Sequence, residues 1–259
     1  MKQKITNLVQ GIFAQAVALD QSGGLKNTIY AIKNEIFILN YDHTVLLRFK
    51  LRDSEIPFNH PISFKADSYD SNVFEEKDGV ITFYSDNDEY SRKKACGTTD
   101  LNPLDVKKLY KKYITEKGER DTIILSKEVL ELLDTNLSHI EFASKVNEGL
   151  KITQRNIYSG ELIEVEKKKS DEGMYDKKIE HEFGPIAIKT NDFNALFNFQ
   201  EVLKFSFPPK DKEDYLFVRG VDDTKRNFTG IIACCLYDEI INLKQVNHGR
   251  KVTKIRRRK

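Results

Sequence analysis

The residues best suited to contact a charged ligand lie in a basic segment at the end of the sequence. Seven basic residues and no acid occur between Arg250 and Lys259, namely Arg250, Lys251, Lys254, Arg256, Arg257, Arg258 and Lys259. The formal net charge of the chain is +2, so subtracting these seven leaves −5 for residues 1–249. Lysine and arginine side chains bind phosphate groups and release the counterions around them. We therefore predict that this tail contacts nucleic acid; a solvated terminus and a nuclear-import signal are the alternatives.

A second basic cluster follows Pro103. Its members are Lys107, Lys108, Lys111 and Lys112, which repeat at one-turn spacing for a helix. We predict that they are further contacts to nucleic acid. The alternative is an ordinary solvated face of a helix.

Catalytic chemistry has one candidate, the stretch EVEKK at 164–168. Its acid-x-Lys spacing is the one with which some nucleases hold a metal ion and activate water, but such a site needs another acid alongside. The sequence PLD at 103–105 supplies an acid only in a different element. Neighbours on a helix point about 100° apart, so Ser138 and His139, at the end of a predicted helix, form no catalytic dyad. We predict a non-enzymatic protein with no metal site and no cofactor. The alternative is a metal-dependent nuclease.

The elements that carry these residues follow the same order twice. Apolar residues at helical spacing over 5–19 predict an amphipathic helix, and NTIYAI, EIFILNY, TVLLRFKL and PISFKAD predict antiparallel strands. After the polar stretch 100–121, a strand, a helix, several strands, a short helix and a hairpin are predicted again. The fold class is therefore α+β, with two similar, mostly antiparallel β domains and a few short helices. The predicted boundaries are 1–99 for the first domain, 100–121 for a connector, 122–243 for the second domain and 244–259 for the basic tail.

The second half resembles a known family. The stretch SKEVLELLDTNLSHIEFASKVNEGLKITQRNIYSGELIEVE at 126–166 is similar to the start of the second domain of DNA polymerase sliding clamps. That family includes proliferating cell nuclear antigen and the processivity clamps of tailed phages. The stretch FNFQEVLKFSFPPKDKEDYLFVRGVDD at 197–223 is similar to the last helix and closing hairpin of the family.

The resemblance implies a function without catalysis. Two-domain subunits of the family close into a ring, commonly a trimer, whose helices line the hole around DNA and whose outer face binds polymerases near the connector. We expect a processivity factor of viral or phage origin that tethers DNA polymerase to double-stranded DNA. The alternative is a clamp fold that forms no ring, binds duplex DNA and supports late transcription with an RNA polymerase complex. The cysteines, an odd and sparse set of three, and the sequence at the N-terminus favour a cytoplasmic protein that contacts no membrane.

The predicted lining helices do not carry the expected charge. They span 5–22, 66–76, 126–139 and 191–204, and together contain ten acidic and two basic residues, a sum of −8. Negative charge in the hole would repel a duplex. The basic tail is therefore the stronger candidate for the contact with DNA.

Overall fold

The computed structural model describes residues 3–19, 26–52, 58, 60–66, 73–78, 80–84, 94–97, 102–115, 122–145, 149–156, 162–164, 177–178, 182–207, 215–221 and 228–234. The basic tail lies outside these residues. So does the stretch 165–168, which completes the predicted nuclease motif.

Strands dominate both halves of the chain. The N-terminal half contains β1 (Gln3–Lys4), β2 (Thr28–Ile32), β3 (Glu35–Leu39), β4 (Val45–Lys50), β5 (Ile62–Lys65), β6 (Val73–Lys77), β7 (Val80–Tyr84) and β8 (Lys94–Gly97). The C-terminal half contains β9 (Thr122–Ser126), β10 (His139–Lys145), β11 (Gly149–Arg155), β12 (Leu162–Glu164), β13 (Lys177–Lys178), β14 (Phe183–Lys189), β15 (Val202–Ser206), β16 (Tyr215–Gly220) and β17 (Phe228–Ala233). The described helices are α1 (Asn7–Ala18), α2 (Pro103–Thr115), α3 (Thr190–Leu196) and a 3₁₀ helix (Lys127–Leu132).

Helix α1 forms where its apolar periodicity predicts it. The hydroxyl of Thr6 caps its first turn by accepting a hydrogen bond from the Val9 N–H at 3.4 Å. The face formed by Val9, Ile12, Phe13 and Ala16 is buried. The ring of Phe13 makes an edge contact with Phe64 at a centroid separation of 5.4 Å, which seats the helix on the sheet.

One antiparallel sheet of nine strands crosses both halves. Its order is β13-β9-β15-β16-β17-β4-β3-β2-β5, and two sheets of four strands, β1-β6-β7-β8 and β12-β11-β10-β14, flank it. The halves meet where β17 pairs with β4, with Ile231 opposite Leu46 and Gly230 opposite Leu47. Every pairing in the three sheets is antiparallel, so the predicted α+β class is confirmed.

The two faces of the nine-stranded sheet have different partners, because successive side chains of a strand point to opposite faces. Ile29 and Ala31 of β2 belong to the same buried cluster as α1 and α3. Tyr30, between them, belongs to a second cluster with Val106 and Tyr110 of α2. We call the side of α1 and α3 the inner face and the side of α2 the outer face.

Three of the predicted lining helices are wrong in their extent. Residues 73–77 form β6, because Phe74 is buried and the segment pairs with both β1 and β7. The predicted helix 126–139 is reduced to the 3₁₀ turn at 127–132. It ends there because Asp134 starts a local turn, in which the Asn136 N–H donates to Asp134 Oδ1 at 2.9 Å. The predicted helix 191–204 ends at Leu196, and Val202 begins β15, which is held between β9 and β16.

Candidate partner-binding and nucleic-acid surfaces

Helix α2 is fixed to the outer face by aromatic packing. Tyr110 is 2% exposed, and its ring meets Phe37 edge to face at a centroid separation of 5.5 Å. Its hydroxyl oxygen lies 2.5 Å from Thr229 Oγ1, so one of the two hydroxyls donates to the other. Because Phe37 is on β3 and Thr229 on β17, this single tyrosine contacts both halves of the chain.

A buried carboxylate provides a second anchor for α2. Glu35 accepts hydrogen bonds from Arg48 through Oε1 and pairs with Lys107 through Oε2. Burial acts to raise the pKa of Glu35, but hydrogen bonds from Lys107 and Arg48 and their positive charges hold the pKa below its ordinary value of 4.5. The guanidinium of Arg48 also lies 5.5 Å from the ring centroid of Tyr110. The predicted DNA contact Lys107 is therefore engaged within the protein.

A cavity of about 550 Å³ opens between α2 and the outer face of the sheet. Its apolar lining is Leu39, Leu46, Val106, Leu109, Tyr113, Tyr215, Ile231 and Ala233, and its polar lining is His43, Thr44, Asn102 and Asp105. Residues from both halves form the walls, since β3 and β4 supply one side and β16 and β17 the other. The α2 cavity, as we call it, can thus bury large apolar side chains of a ligand.

A polar network runs from the lining of the α2 cavity to α3. Thr44 Oγ1 lies 2.7 Å from Asp42 Oδ1 and 2.7 Å from Asp192 Oδ2, and Asp42 also pairs with Lys189. The single proton of Thr44 can serve one carboxylate at a time. Burial, and then the charge of Asp42, raise the pKa of Asp192 above its ordinary value of 3.8. When Thr44 donates to Asp42, a protonated Asp192 can donate to Thr44 in turn, which completes the network.

The pKa of the other carboxylate, Asp42, is shifted in the opposite direction. Burial acts to raise the pKa of Asp42, but hydrogen bonds from Lys189 and Thr44 outweigh burial and hold the pKa below 3.8. The same pairing raises the pKa of Lys189, against the effect of burial. The network therefore joins the turn between β3 and β4 in the N-terminal half to the start of α3 in the C-terminal half.

The other three lysines of α2 that were predicted to contact DNA lie on its exposed side. Lys108 Nζ lies 3.1 Å from Asp105 Oδ1, with both side chains largely exposed to solvent. Lys111 and Lys112 are exposed as well. All of them are on the outer face, while the predicted DNA-facing helices α1 and α3 are on the inner face.

The inner-face helices α1 and α3 carry a single acidic residue between them, so the predicted negative charge does not lie on these two helices. The sequence of α1, NLVQGIFAQAVA, contains no charged residue, and that of α3, TNDFNAL, contains only the buried Asp192. Glu75 and Glu76 belong to β6, while Asp20, Asp67 and Asp70 lie outside the described residues. These two helices offer a duplex no strong repulsion and no basic contact.

His139 lies at the start of β10 and not at the end of a helix. Its Nδ1 is 3.0 Å from Ser138 Oγ, so these neighbours do form a hydrogen bond, contrary to the helical argument. Burial, and then the charge of Lys189, lower the pKa of His139. Glu141 accepts hydrogen bonds from Arg155 beside it, and both side chains are buried.

The described residues contain no group of three or more His, Cys, Asp or Glu side chains placed to hold a metal ion. Glu164 ends β12, and the rest of the predicted nuclease motif is outside the described ranges. Of the helices in those ranges, none is long and apolar enough to cross a membrane.

The architecture matches solved structures of two clamp proteins. The beta subunit of DNA polymerase III from Pseudomonas aeruginosa superposes with a TM-score of 0.58 and 13% sequence identity, over 91% of this chain and 66% of that one. A chain of the PCNA2–PCNA3 complex from Sulfolobus tokodaii superposes with a TM-score of 0.56 and 10% identity, over 90% of this chain and 99% of that one. No family model matches the sequence, and no curated protein matches it.

These similarities show that the chain has the fold of the DNA sliding clamps, as the resemblance predicted. The match covers nearly the whole length of the Sulfolobus tokodaii chain and just under two thirds of the Pseudomonas aeruginosa chain.

No motif in the sequence indicated the α2 cavity directly. The spacing of Val106, Tyr110 and Tyr113 at i, i+4 and i+7 was a usable signal for an amphipathic helix in the connector. Leu109 lies between lysines and outside the helix face formed by Val106, Tyr110 and Tyr113, and an exposed leucine of this kind was a signal for a binding surface.

Proposed function

We propose that this protein is a non-catalytic accessory factor that tethers a polymerase to double-stranded DNA. The observation that carries the proposal is the α2 cavity, an apolar site on the outer face of a clamp fold. The solved relative from Pseudomonas aeruginosa is itself a subunit of a DNA polymerase. The proposed partners are accordingly duplex DNA and a polymerase, with a viral or phage replication complex as the setting.

The α2 cavity is proposed as the polymerase-docking site. Its volume of about 550 Å³ is within the range of roughly 300–1,000 Å³ typical of ligand sites. Leu109 on its rim is 46% exposed, so a docking segment would remove apolar surface of both partners from water. A segment of polymerase with two or three apolar side chains fits such a site.

The basic tail is proposed as the main contact with DNA, because α1 and α3 present no basic residue. If all seven tail charges neutralise phosphates, removing residues 250–259 should reduce the slope of log K against log salt by about 6. An unchanged slope and affinity would exclude the tail. The same titration with the α2 lysines replaced tests their predicted role as nucleic-acid contacts.

Primer extension tests the tethering role. The DNA polymerase encoded by the same genome is given a primed template with a trap that prevents rebinding, and product length is measured with and without this protein. We expect longer products with wild type and a loss of the gain with Leu109→Ser. The matched control is Leu104→Ser, since Leu104 is equally exposed on α2 but does not line the cavity. No effect of wild-type protein on product length would refute the proposal.

A clamp fold that forms no ring is the second candidate, and the neutral inner helices favour it. Such a protein would bind duplex DNA through its tail and recruit an RNA polymerase complex for late transcription. Retention on nicked circular DNA separates the two forms. A closed ring, such as a homo-trimer, stays on the circle in high salt and slides off after linearisation, whereas a tail-bound monomer is released by salt from both.

A further inference from the structure

We propose that the segment bound in the α2 cavity is acidic, with aspartate or glutamate residues beside its apolar anchors. This inference rests on the proposed docking function and adds the charge of the partner. The sequence of α2, PLDVKKLYKKYIT, contains four lysines and one aspartate. A docking segment that runs along this helix therefore meets a positive surface.

The geometry of α2 places part of this charge beside the cavity. Successive helical residues turn by about 100°, so Asp105, Leu109 and Lys112 project within about 60° of one another. Asp105 and Leu109 line the cavity, which assigns Lys112 to the same side. Lys108 projects about 60° from Asp105 and is 78% exposed at its side chain. Lys111 projects about 120° from Asp105 and points away from the opening.

The positive charge next to the cavity lies partly on exposed side chains. Asp105, the one acidic residue in the lining, is 66% exposed, and an exposed ion pair such as Lys108–Asp105 contributes little to stability. Lys107 is already engaged by the buried Glu35. Lys108 and Lys112 are exposed and project within about 60° of Asp105, so both are on the side of α2 that faces a segment in the cavity.

The sheet under α2 has the same sign of charge. On β2–β5, β9 and β15–β17, strand alternation assigns one acidic and five basic residues to the outer face: Glu35, Arg48, Lys50, Lys65, Lys204 and Arg219. Glu35 is buried between Arg48 and Lys107. The outer face is therefore basic although residues 1–249 carry a net charge of −5.

Apolar surface decides between an acidic peptide and a nucleic acid. The charges surround a cavity whose lining is mostly leucine, isoleucine, valine and tyrosine, with Leu109 at its rim. A duplex presents phosphates but no apolar group that could fill such a space, whereas a peptide supplies both acids and apolar anchors. Complementary charge also steers the encounter and selects against basic segments.

Two labelled peptides test the proposal by fluorescence anisotropy. Both carry the same leucine and phenylalanine anchors, flanked by aspartates in one and by asparagines in the other. Two exposed ion pairs should make the acidic peptide bind about tenfold tighter at low salt, with the preference fading as salt rises. Lys112→Glu should remove most of this preference, and Lys111→Glu, a matched charge reversal on the far side of α2, should retain it.

Each other outcome overturns the proposal in a distinguishable way. Equal binding of the two peptides refutes an acidic partner and leaves the docking site in place. Equal loss with Lys111→Glu and Lys112→Glu, together with competition by a duplex oligonucleotide, assigns the lysines to nucleic acid. If neither peptide binds a protein whose primer-extension activity depends on Leu109, the acidic partner is refuted while docking stands. If Leu109→Ser leaves primer extension unchanged, the proposed docking function itself fails.

Discussion

Replacing Glu35 by glutamine should weaken the attachment of α2 to the sheet in a pH-dependent way. The carboxylate is 6% exposed, and its two partners Arg48 and Lys107 are 22% and 27% exposed at their side chains. Breaking a fully buried ion pair from one side costs about 3–5 kcal/mol, because a charge is left without its partner. Since water reaches both cations here, we expect a loss of about 2–3 kcal/mol in the free energy of unfolding at pH 7.

The pH dependence follows from the direction of the pKa shift. The pKa of Glu35 is lower in the folded than in the unfolded protein, so its stabilisation is complete above the unfolded value near 4.5. It is lost as the pH falls through the folded pKa. The difference in stability between wild type and Glu35→Gln should therefore be constant from pH 7 to pH 5 and shrink at lower pH.

Urea denaturation at a series of pH values measures this difference. Lys107→Met is the informative companion, because it leaves the Arg48 pair intact and should cost about 1 kcal/mol. A Glu35→Gln variant as stable as wild type at pH 7 would show that the carboxylate does not anchor α2. A deficit that stays the same at low pH would show that the loss is steric and not electrostatic.

Three further changes probe the core and the junction of the halves. Asp192→Asn keeps an acceptor for the Thr44 hydroxyl. The pKa of Asp192 is raised in the folded protein, so protonation of this carboxyl at low pH favours the folded state. Urea titrations should therefore show that wild type gains stability relative to the variant as the pH falls from 7 toward 4. Phe13→Ala removes a fully buried ring from α1 and should lower the free energy of unfolding by about 3–5 kcal/mol, whereas a loss under about 1 kcal/mol would mean that α1 contributes little to the core. Gly230→Ala places a methyl group 2.6 Å from Leu47 Cδ2. Calorimetry should show a lower melting temperature and a free energy of unfolding reduced by about 1–3 kcal/mol. An unchanged melting temperature would mean that Leu47 moves aside freely.

The sequence was sufficient for elements whose own pattern decides their structure. The short runs of β-branched, aromatic and other apolar residues in TIYAI and EIFIL identified β2 and β3, and the helical spacing of Val9, Ile12, Phe13 and Ala16 identified α1. The repeated order of elements and the resemblance at 126–166 led to the clamp fold before any tertiary contact was known.

Local periodicity failed where long-range pairing determines the structure. Phe197 and Leu203 are apolar residues in a stretch that is compatible with a helix, but β15 is held by β9 and β16 and so takes an extended form. The turn that ends the 3₁₀ helix at Asp134 is held in addition by Gln154, whose side chain accepts from Asp134 N–H at 2.7 Å and donates to Asp134 O at 3.0 Å. A partner twenty residues away in sequence leaves no local signal.

The α2 cavity was beyond sequence reasoning for a related reason. Its walls include Leu39, Leu109, Tyr215 and Ile231, which are brought together only when β17 pairs with β4. Leu39, Tyr215 and Ile231 look like ordinary core residues in their own strands. The lysines of α2 could be seen in the sequence as a basic stretch, but their placement on the outer face and the engagement of Lys107 by Glu35 required the structure.

The pairing of β4 with β17 makes the protein suited to reassembly from two polypeptides. Residues 1–121 would carry α2 and the unpaired edge of β4, and residues 122–259 would carry the complementary edge of β17. Main-chain hydrogen bonds and the Tyr110–Thr229 contact would recombine the fragments without a covalent link. Because a ligand in the α2 cavity touches both fragments at once, occupancy should tighten their association, and a split version would report partner binding as complementation.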